Sequence, residues 1–142
     1  MMRHHLHFAL MAGLLVGGLA AVTPQRVVAG QAAPASPQNA PVISVQELQK
    51  LMQKEGSVLI YDVRQPEEYN EGHIKGATLI PLGDLSSRYK EIPQKKKVVI
   101  YCHSGRRSAQ AVAFLRDHGY ADAFSLSGGY LEWSRAQDSG TK

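Results

Sequence analysis

The sequence predicts an α/β domain built on a mostly parallel sheet. Short apolar runs of strand length alternate with helical stretches, the pattern of strand–helix–strand units. The folded part comes to about 100 residues, a normal size for one small domain. A cysteine closes the clearest strand run and stands before a loop, bearing glycine and arginine, that leads into a helix.

The chain has 142 residues, and its first segment reads as an address rather than as part of that domain. Phe8 to Val22 is a 15-residue stretch without a charge, preceded by Arg3, His4, His5 and His7. A membrane-spanning helix needs about 20 apolar residues, so a secretory signal peptide fits better. It is expected over residues 1–29, with cleavage between 29 and 35 at Val27-Val28-Ala29 or Ala33-Pro34-Ala35. Residues 30–40, rich in Ala, Pro, Gln and Ser, carry no periodic apolar face and read as a linker. The domain is expected over 41–138, with a tail at 139–142. Export implies a periplasmic or secreted protein, with no stable membrane insertion once the signal is removed.

Within the domain, Ser44-Val45-Gln46-Glu47 matches a capping box, and Val45, Leu48, Leu51 and Met52 follow at helical spacing up to Gly56. Val58-Leu59-Ile60-Tyr61 is a strand-length apolar run that ends at Asp62-Val63-Arg64. Pro66 opens a helical turn through Glu67, Glu68 and Tyr69, closed by Gly72. Thr78-Leu79-Ile80 predicts a strand stopped by Pro81, and Leu82, Leu85 and Tyr89 predict a helix ending before Pro93. Val98-Val99-Ile100-Tyr101 is the clearest strand, with Cys102 at its end. The stretch from Arg107 to Leu115 predicts a well-buried helix ended by Gly119. Ala123 to Leu126 predicts a last strand, followed by Gly128-Gly129 and a helix carrying Leu131 and Trp133.

Composition narrows the function. Apolar residues make up 44%, which excludes full disorder, and a single cysteine excludes an internal disulfide framework and a Cys-rich zinc site. The formal charge of +4 falls to +2 without the first 35 residues, which hold Arg3, Arg26 and no acid. Lys95, Lys96 and Lys97 form only a short cluster, so no nucleic-acid partner is expected. The folded part shows no metal-ligand cluster, and no cofactor is assigned.

The chemistry points to the cysteine loop. Ligands of open α/β sheets bind beyond the carboxyl ends of strands. Unpaired N–H groups at a helix start, with a loop curled over them, make an anion-binding nest. In Cys102-His103-Ser104-Gly105-Arg106-Arg107-Ser108, Gly105 permits the curl, and Arg106 and Arg107 add positive charge. Such surroundings favour a thiolate, lowering a cysteine pKa from about 8.5 to about 3.5–7.5. Nucleophilic chemistry through a covalent intermediate on Cys102 is expected. Arg107 is poorly placed for the helix dipole, which implies that something anionic offsets it.

These residues resemble the rhodanese family of sulfurtransferases. One match is Asp62-Val63-Arg64 with Glu68-Tyr69, Gly72-His73-Ile74, Gly76-Ala77 and Ile80-Pro81. A second is the Cys-x-x-Gly-x-Arg-Ser loop from Cys102 to Ser108, and a third is Leu126-Ser127-Gly128-Gly129 followed by Trp133. The resemblance implies a single domain with a five-stranded parallel sheet flanked by helices. It implies that Cys102 takes the outer sulfur of thiosulfate and passes it to cyanide or a thiol, a protein thiol included. Amides of His103, Ser104, Gly105, Arg106 and Arg107 would cradle the persulfide, with Asp62, Arg64 and Ser108 in support. Asp62 and Arg64 are expected to brace loops by ion pairing, His73 to hold the turn from Gly72 to Gly76, and Trp133 to lie in the core.

Two other activities fit the same scaffold. A sulfur carrier or binding module of this fold would relay sulfur rather than turn over small substrates. Small phosphatases and arsenate reductases resemble the scaffold but place five residues between Cys and Arg. Cys102 to Arg107 encloses four, shortening the loop by about 3.8 Å of contour and suiting one sulfur atom better than a tetrahedral phosphate.

Overall fold

The computed structural model describes residues 36–140. The expected signal peptide, most of the linker and the last two residues lie outside the described residues. The sheet holds β1 (Val42–Ile43), β2 (Leu59–Asp62), β3 (Thr78–Leu79), β4 (Val98–Tyr101) and β5 (Ala123–Leu126). Its five strands run parallel in the order β1-β5-β4-β2-β3, as the resemblance implied. The helices are α1 (Val45–Met52), α2 (Pro66–Glu71), α3 (Leu85–Arg88), α4 (Arg106–Asp117) and α5 (Gly129–Ser139).

A parallel sheet is covered on both faces by its crossover helices, so its central strand reads as an unbroken apolar run. All four residues of β4 are buried, and successive side chains alternate between two cores. Val98, Ile100 and Cys102 share one core with Ala111, Val112 and Leu115 of α4. Val99 and Tyr101 share the other with Leu48 of α1 and Leu126. Cys102 therefore continues the phase that faces α4, which is why its thiol lies beneath the start of that helix.

The capping box forms as read: Glu47 N–H donates to Ser44 Oγ at 3.2 Å, and Ser44 N–H donates to the Glu47 carboxylate at 3.0 Å. Several boundaries differ from the expectation. The second strand runs one residue later, because Asp62 continues the ladder opposite Tyr101 and Leu79. The helix expected from Leu82 to Tyr89 is only α3 followed by a 3-10 turn, Tyr89–Glu91. The Arg107–Leu115 helix starts at Arg106, because Gly105 takes the left-handed conformation at its N-cap. It runs on to Asp117, two residues before Gly119. Trp133 is half-buried against the second core rather than inside it.

β1 has no periodic signal because it is two residues long, held where Ser125 N–H donates to Pro41 O and Ser127 N–H to Ile43 O, both at 2.9 Å. A 3-10 turn, Pro37–Asn39, lies beside α4 inside the stretch read as linker. No helix of the described residues is long and apolar enough to cross a membrane.

Candidate active site

β4 delivers Cys102 to the carboxyl edge of the sheet, and residues 103–105 loop over it before α4 begins. Gly105, at φ +102°, turns its N–H down onto the Cys102 sulfur at 3.1 Å. A side chain would strain that backbone. Ser108, in the first turn of α4, brings its hydroxyl to 3.6 Å from Sγ. Cys102 as a whole is 1% exposed, so the thiol sits at the floor of the loop.

The loop is shaped from outside by α5. Tyr130 N–H donates to Cys102 O at 2.7 Å, and Leu131 N–H donates to His103 O at 3.0 Å. The start of α5 thus uses amides that a helix leaves unpaired. In a trans peptide the C=O and the following N–H point in opposite directions. Turning the His103 carbonyl out toward α5 therefore turns the Ser104 N–H in toward the sulfur. The approach is so close that a Cβ on Gly129 would stand 2.5 Å from Cys102 O and 2.6 Å from His103 O. The absence of a side chain at Gly129 is what lets α5 approach the loop this closely.

Burial pushes the Cys102 thiol pKa up. The Ser108 N–H and hydroxyl, then the Gly105 and Ser104 N–H groups, pull it down, and their sum leaves it below the ordinary cysteine value. Hydrogen-bond donors, not arginine charge, are the leading stabilisers of the thiolate. Arg107 is engaged by Glu68 of α2, which takes both its terminal nitrogens at 2.7 and 2.8 Å. This is the anionic partner that the position of Arg107 at a helix start implied. Glu68 Oε2 also accepts Gln65 N–H at 3.1 Å. Chiefly because of Arg107, the Glu68 carboxyl is held down at about 2.

His103, Ser104 and Arg106 are exposed. They border an open cleft of about 630 Å³ with Glu68, Glu71, Arg107 and Gln110. A second cleft, of about 500 Å³, lies on the other side of Ser104 and Arg106 and reaches Ala40, Val42 and Gly128. Both clefts open at the mouth of the loop.

Asp62 and Arg64 form a buried pair. The Arg64 side chain donates to the Asp62 carboxylate at 2.7–3.0 Å and to Gly72 O at 2.7 Å. Its guanidinium lies 4.4 Å from the Tyr130 ring centre. The pair braces the loop after α2 and the start of α5 and makes no hydrogen bond to Cys102. His73 stacks on Tyr69, with ring centres 3.8 Å apart, inside the turn it was expected to hold. Among the described residues, no group of three or more His, Cys, Asp or Glu could hold a metal ion.

Glu68, Ser125, Gly129 and Tyr130 all act on the loop and were not read from the sequence as site residues. The doubled glycine before a helix, and the basic Arg107 at a helix start that called for an anion, were the available signals. Glu68 and Ser125 meet the loop only through the fold.

A parallel α/β sheet that carries one cysteine into a ring of inward amides defines the class as a cysteine-loop α/β protein. Comparison with known proteins supplies the family. Residues 44–136 match the Rhodanese-like domain. A sulfurtransferase of Allochromatium vinosum is 44% identical over 78 residues, which cover 55% of this chain and 73% of that protein. A human thiosulfate:glutathione sulfurtransferase is 32% identical over 108 residues, covering 66% of this chain and 93% of that one. A putative sulfur carrier, YrkF, of Bacillus subtilis is 34% identical over 94 residues, and the chain spans only 51% of its length. The solved structure of a rhodanese-related protein from Thermoplasma volcanium superposes with a TM-score of 0.63 at 29% identity, covering 68% of this chain and 92% of that one. The chain belongs to the rhodanese-like family of sulfurtransferases.

Proposed function

We propose that the protein is a thiosulfate sulfurtransferase working through a persulfide on Cys102. The thiolate attacks the outer sulfur of thiosulfate, the S–S bond of the donor breaks, and sulfite leaves with the bonding electrons. A cyanide or thiolate acceptor then attacks the outer persulfide sulfur and releases the Cys102 thiolate. Both half-reactions place negative charge on sulfur at the loop floor, where fixed N–H donors need no rearrangement to meet it.

The observation that carries this reading is the Gly105 N–H at 3.1 Å from Sγ, backed by the Ser104 and Ser108 donors. These amides converge on the sulfur itself. The loop encloses four residues between Cys102 and Arg107 where phosphatase loops of this scaffold enclose five, and the smaller ring counts against phosphatase or arsenate reductase chemistry. The open clefts beside the mouth suit a small thiol or a protein thiol, and they suit a relay of sulfur equally well. The uncharged stretch from Phe8 to Val22 supports export, so the acceptor belongs to the periplasm or the exterior.

Intact mass after incubation with thiosulfate should rise by one sulfur, about 32 Da, and fall back on addition of cyanide with release of thiocyanate. Cys102→Ala should show neither change. An unchanged mass in the unaltered protein, or full transfer by Cys102→Ala, would overturn the proposal. Accumulation of full-length protein in the cytosol would overturn the assignment to an exported compartment.

A further inference from the structure

Beneath the sulfur lies a second polar shell that the loop residues do not account for. The Ser108 hydroxyl has three neighbours: Cys102 Sγ at 3.6 Å, Gly105 O at 3.1 Å and Ser125 Oγ at 2.8 Å. Ser125 belongs to β5, the strand next to β4, and is 2% exposed; Ser108 is fully buried. A buried hydroxyl without a partner is costly, and Ser108 Oγ is the only partner that the Ser125 hydroxyl has among the described residues.

Either serine can donate in the 2.8 Å contact, and one of the two arrangements serves the sulfur. Gly105 O can only accept. Ser108 has one proton to give, and its oxygen can accept at the same time. With Ser125 donating to Ser108, the Ser108 proton remains for the sulfur or for Gly105 O. A hydroxyl that accepts a hydrogen bond also becomes a better donor. When Cys102 is a thiol, its S–H can instead compete to donate into Ser108 Oγ. Occupation of that oxygen by the Ser125 proton opposes this arrangement and favours the ionised sulfur.

We infer that Ser125 is a positioning residue, which acts through Ser108 to direct the Ser108 proton onto the Cys102 sulfur. This rests on Cys102 being the sulfur-bearing nucleophile, but the arrangement concerns the thiolate before any donor arrives. The charged groups around the site are the Arg107–Glu68 pair of α4 and α2, the Asp62–Arg64 pair at the end of β2, and Arg106 and His103 at the mouth. Tyr61 of β2 and Tyr120, beyond α4, belong to the same core as Cys102. All of these are left in place by a change at Ser125, so its effect is separable from theirs.

The test is the pH dependence of Cys102 alkylation by iodoacetamide, which needs no sulfur transfer. Ser125→Ala should raise the alkylation midpoint by roughly half a pH unit, which cuts the thiolate fraction about threefold below the midpoint. Ser125→Thr, which keeps a hydroxyl, should restore the original midpoint. In a Ser108→Ala background, Ser125→Ala should shift nothing further. An unmoved midpoint in Ser125→Ala, or an equal shift in the Ser108→Ala background, overturns the inference. A measurement on the unaltered protein keeps the test open should Ser125→Ala fail to fold. The hydroxyl protons of Ser108 and Ser125, followed by NMR, should titrate together with Cys102, and static signals across that range overturn the inference as well. Thiosulfate loading of the unaltered protein is scored separately, so loss of the sulfurtransferase reading and loss of this one are distinguishable.

Discussion

Replacing Glu68 by Gln tests how the loop region divides its charges. Glu68 and Arg107 are each about one-third exposed, 30% and 33%, and are joined by two short bonds. The Glu68 carboxyl is lowered from 4.5 to about 2, with hydrogen bonding to Arg107 as the largest cause. Taken whole, that difference bounds the contribution at about 3 kcal/mol. Screening of a pair this exposed reduces it to about 1–2 kcal/mol. A carboxylate with a depressed folded-state pKa contributes fully above its unfolded value, and the contribution is lost as pH falls through the folded value. The Glu68→Gln variant should therefore be less stable by about 1–2 kcal/mol at pH 7. The deficit should shrink below pH 4.5 and vanish near pH 2.

Urea unfolding of both proteins at pH 7 and pH 3.5 measures the difference. The same substitution frees Arg107, whose guanidinium borders the cleft at the loop mouth. A dianionic donor should then bind better, with apparent KM for thiosulfate falling a few-fold at low salt and the gain fading as salt is added. An equal stability deficit at both pH values would refute the electrostatic account. An unchanged KM would show that Arg107 does not reach the donor even when released.

Three further outcomes follow from the geometry. Gly129→Ala forces a Cβ against Cys102 O and His103 O at φ +61°, and should cost at least about 3 kcal/mol in urea unfolding and abolish sulfur loading; near-normal loading would mean that α5 does not shape the loop. Asp62→Asn leaves Arg64 buried and unpaired and should cost about 3–5 kcal/mol, whereas Asp62→Leu with Arg64→Met should cost clearly less; equal losses would remove the pairing argument. Alkylation of Cys102 should fall as pH drops through a midpoint below that of an ordinary free thiol measured alongside it, and Ser108→Ala should move that midpoint upward; a midpoint at or above that of the free thiol would deny the donor ring.

What could be read in advance was what acts locally along the chain. The capping box at Ser44, the apolar run of β4 and the position of Cys102 all depend on neighbours within a few residues, so composition and spacing revealed them. β1 was invisible because two residues carry no period, and it exists only because β5 offers it a partner. Arg107 was legible as an anomaly but not as a solved one. Its basic charge at a helix start called for an anion, and the fold supplies Glu68 from 39 residues away. Ser125 looked like an ordinary strand serine, because its meaning comes from the register that sets β5 beside β4.

The same distinction explains how a short loop can hold its amides toward one sulfur. Residues 103–105 bury little of their own and could not fix such a conformation alone. Constraint comes from outside: α5 takes two loop carbonyls, Ser125 meets Ser108 beneath the sulfur, and Glu68 holds Arg107 on α2. Each contact joins the loop or the start of α4 to a different element of the sheet-and-helix frame, so their effects should be largely independent. A donor ring fixed before substrate arrives can stabilise thiolate and persulfide alike without reorganising, and that is the property sulfur transfer through one cysteine requires. Loosening the α5 contacts or the Ser125 contact should then reduce the thiolate fraction at a given pH, because each holds a donor on the sulfur.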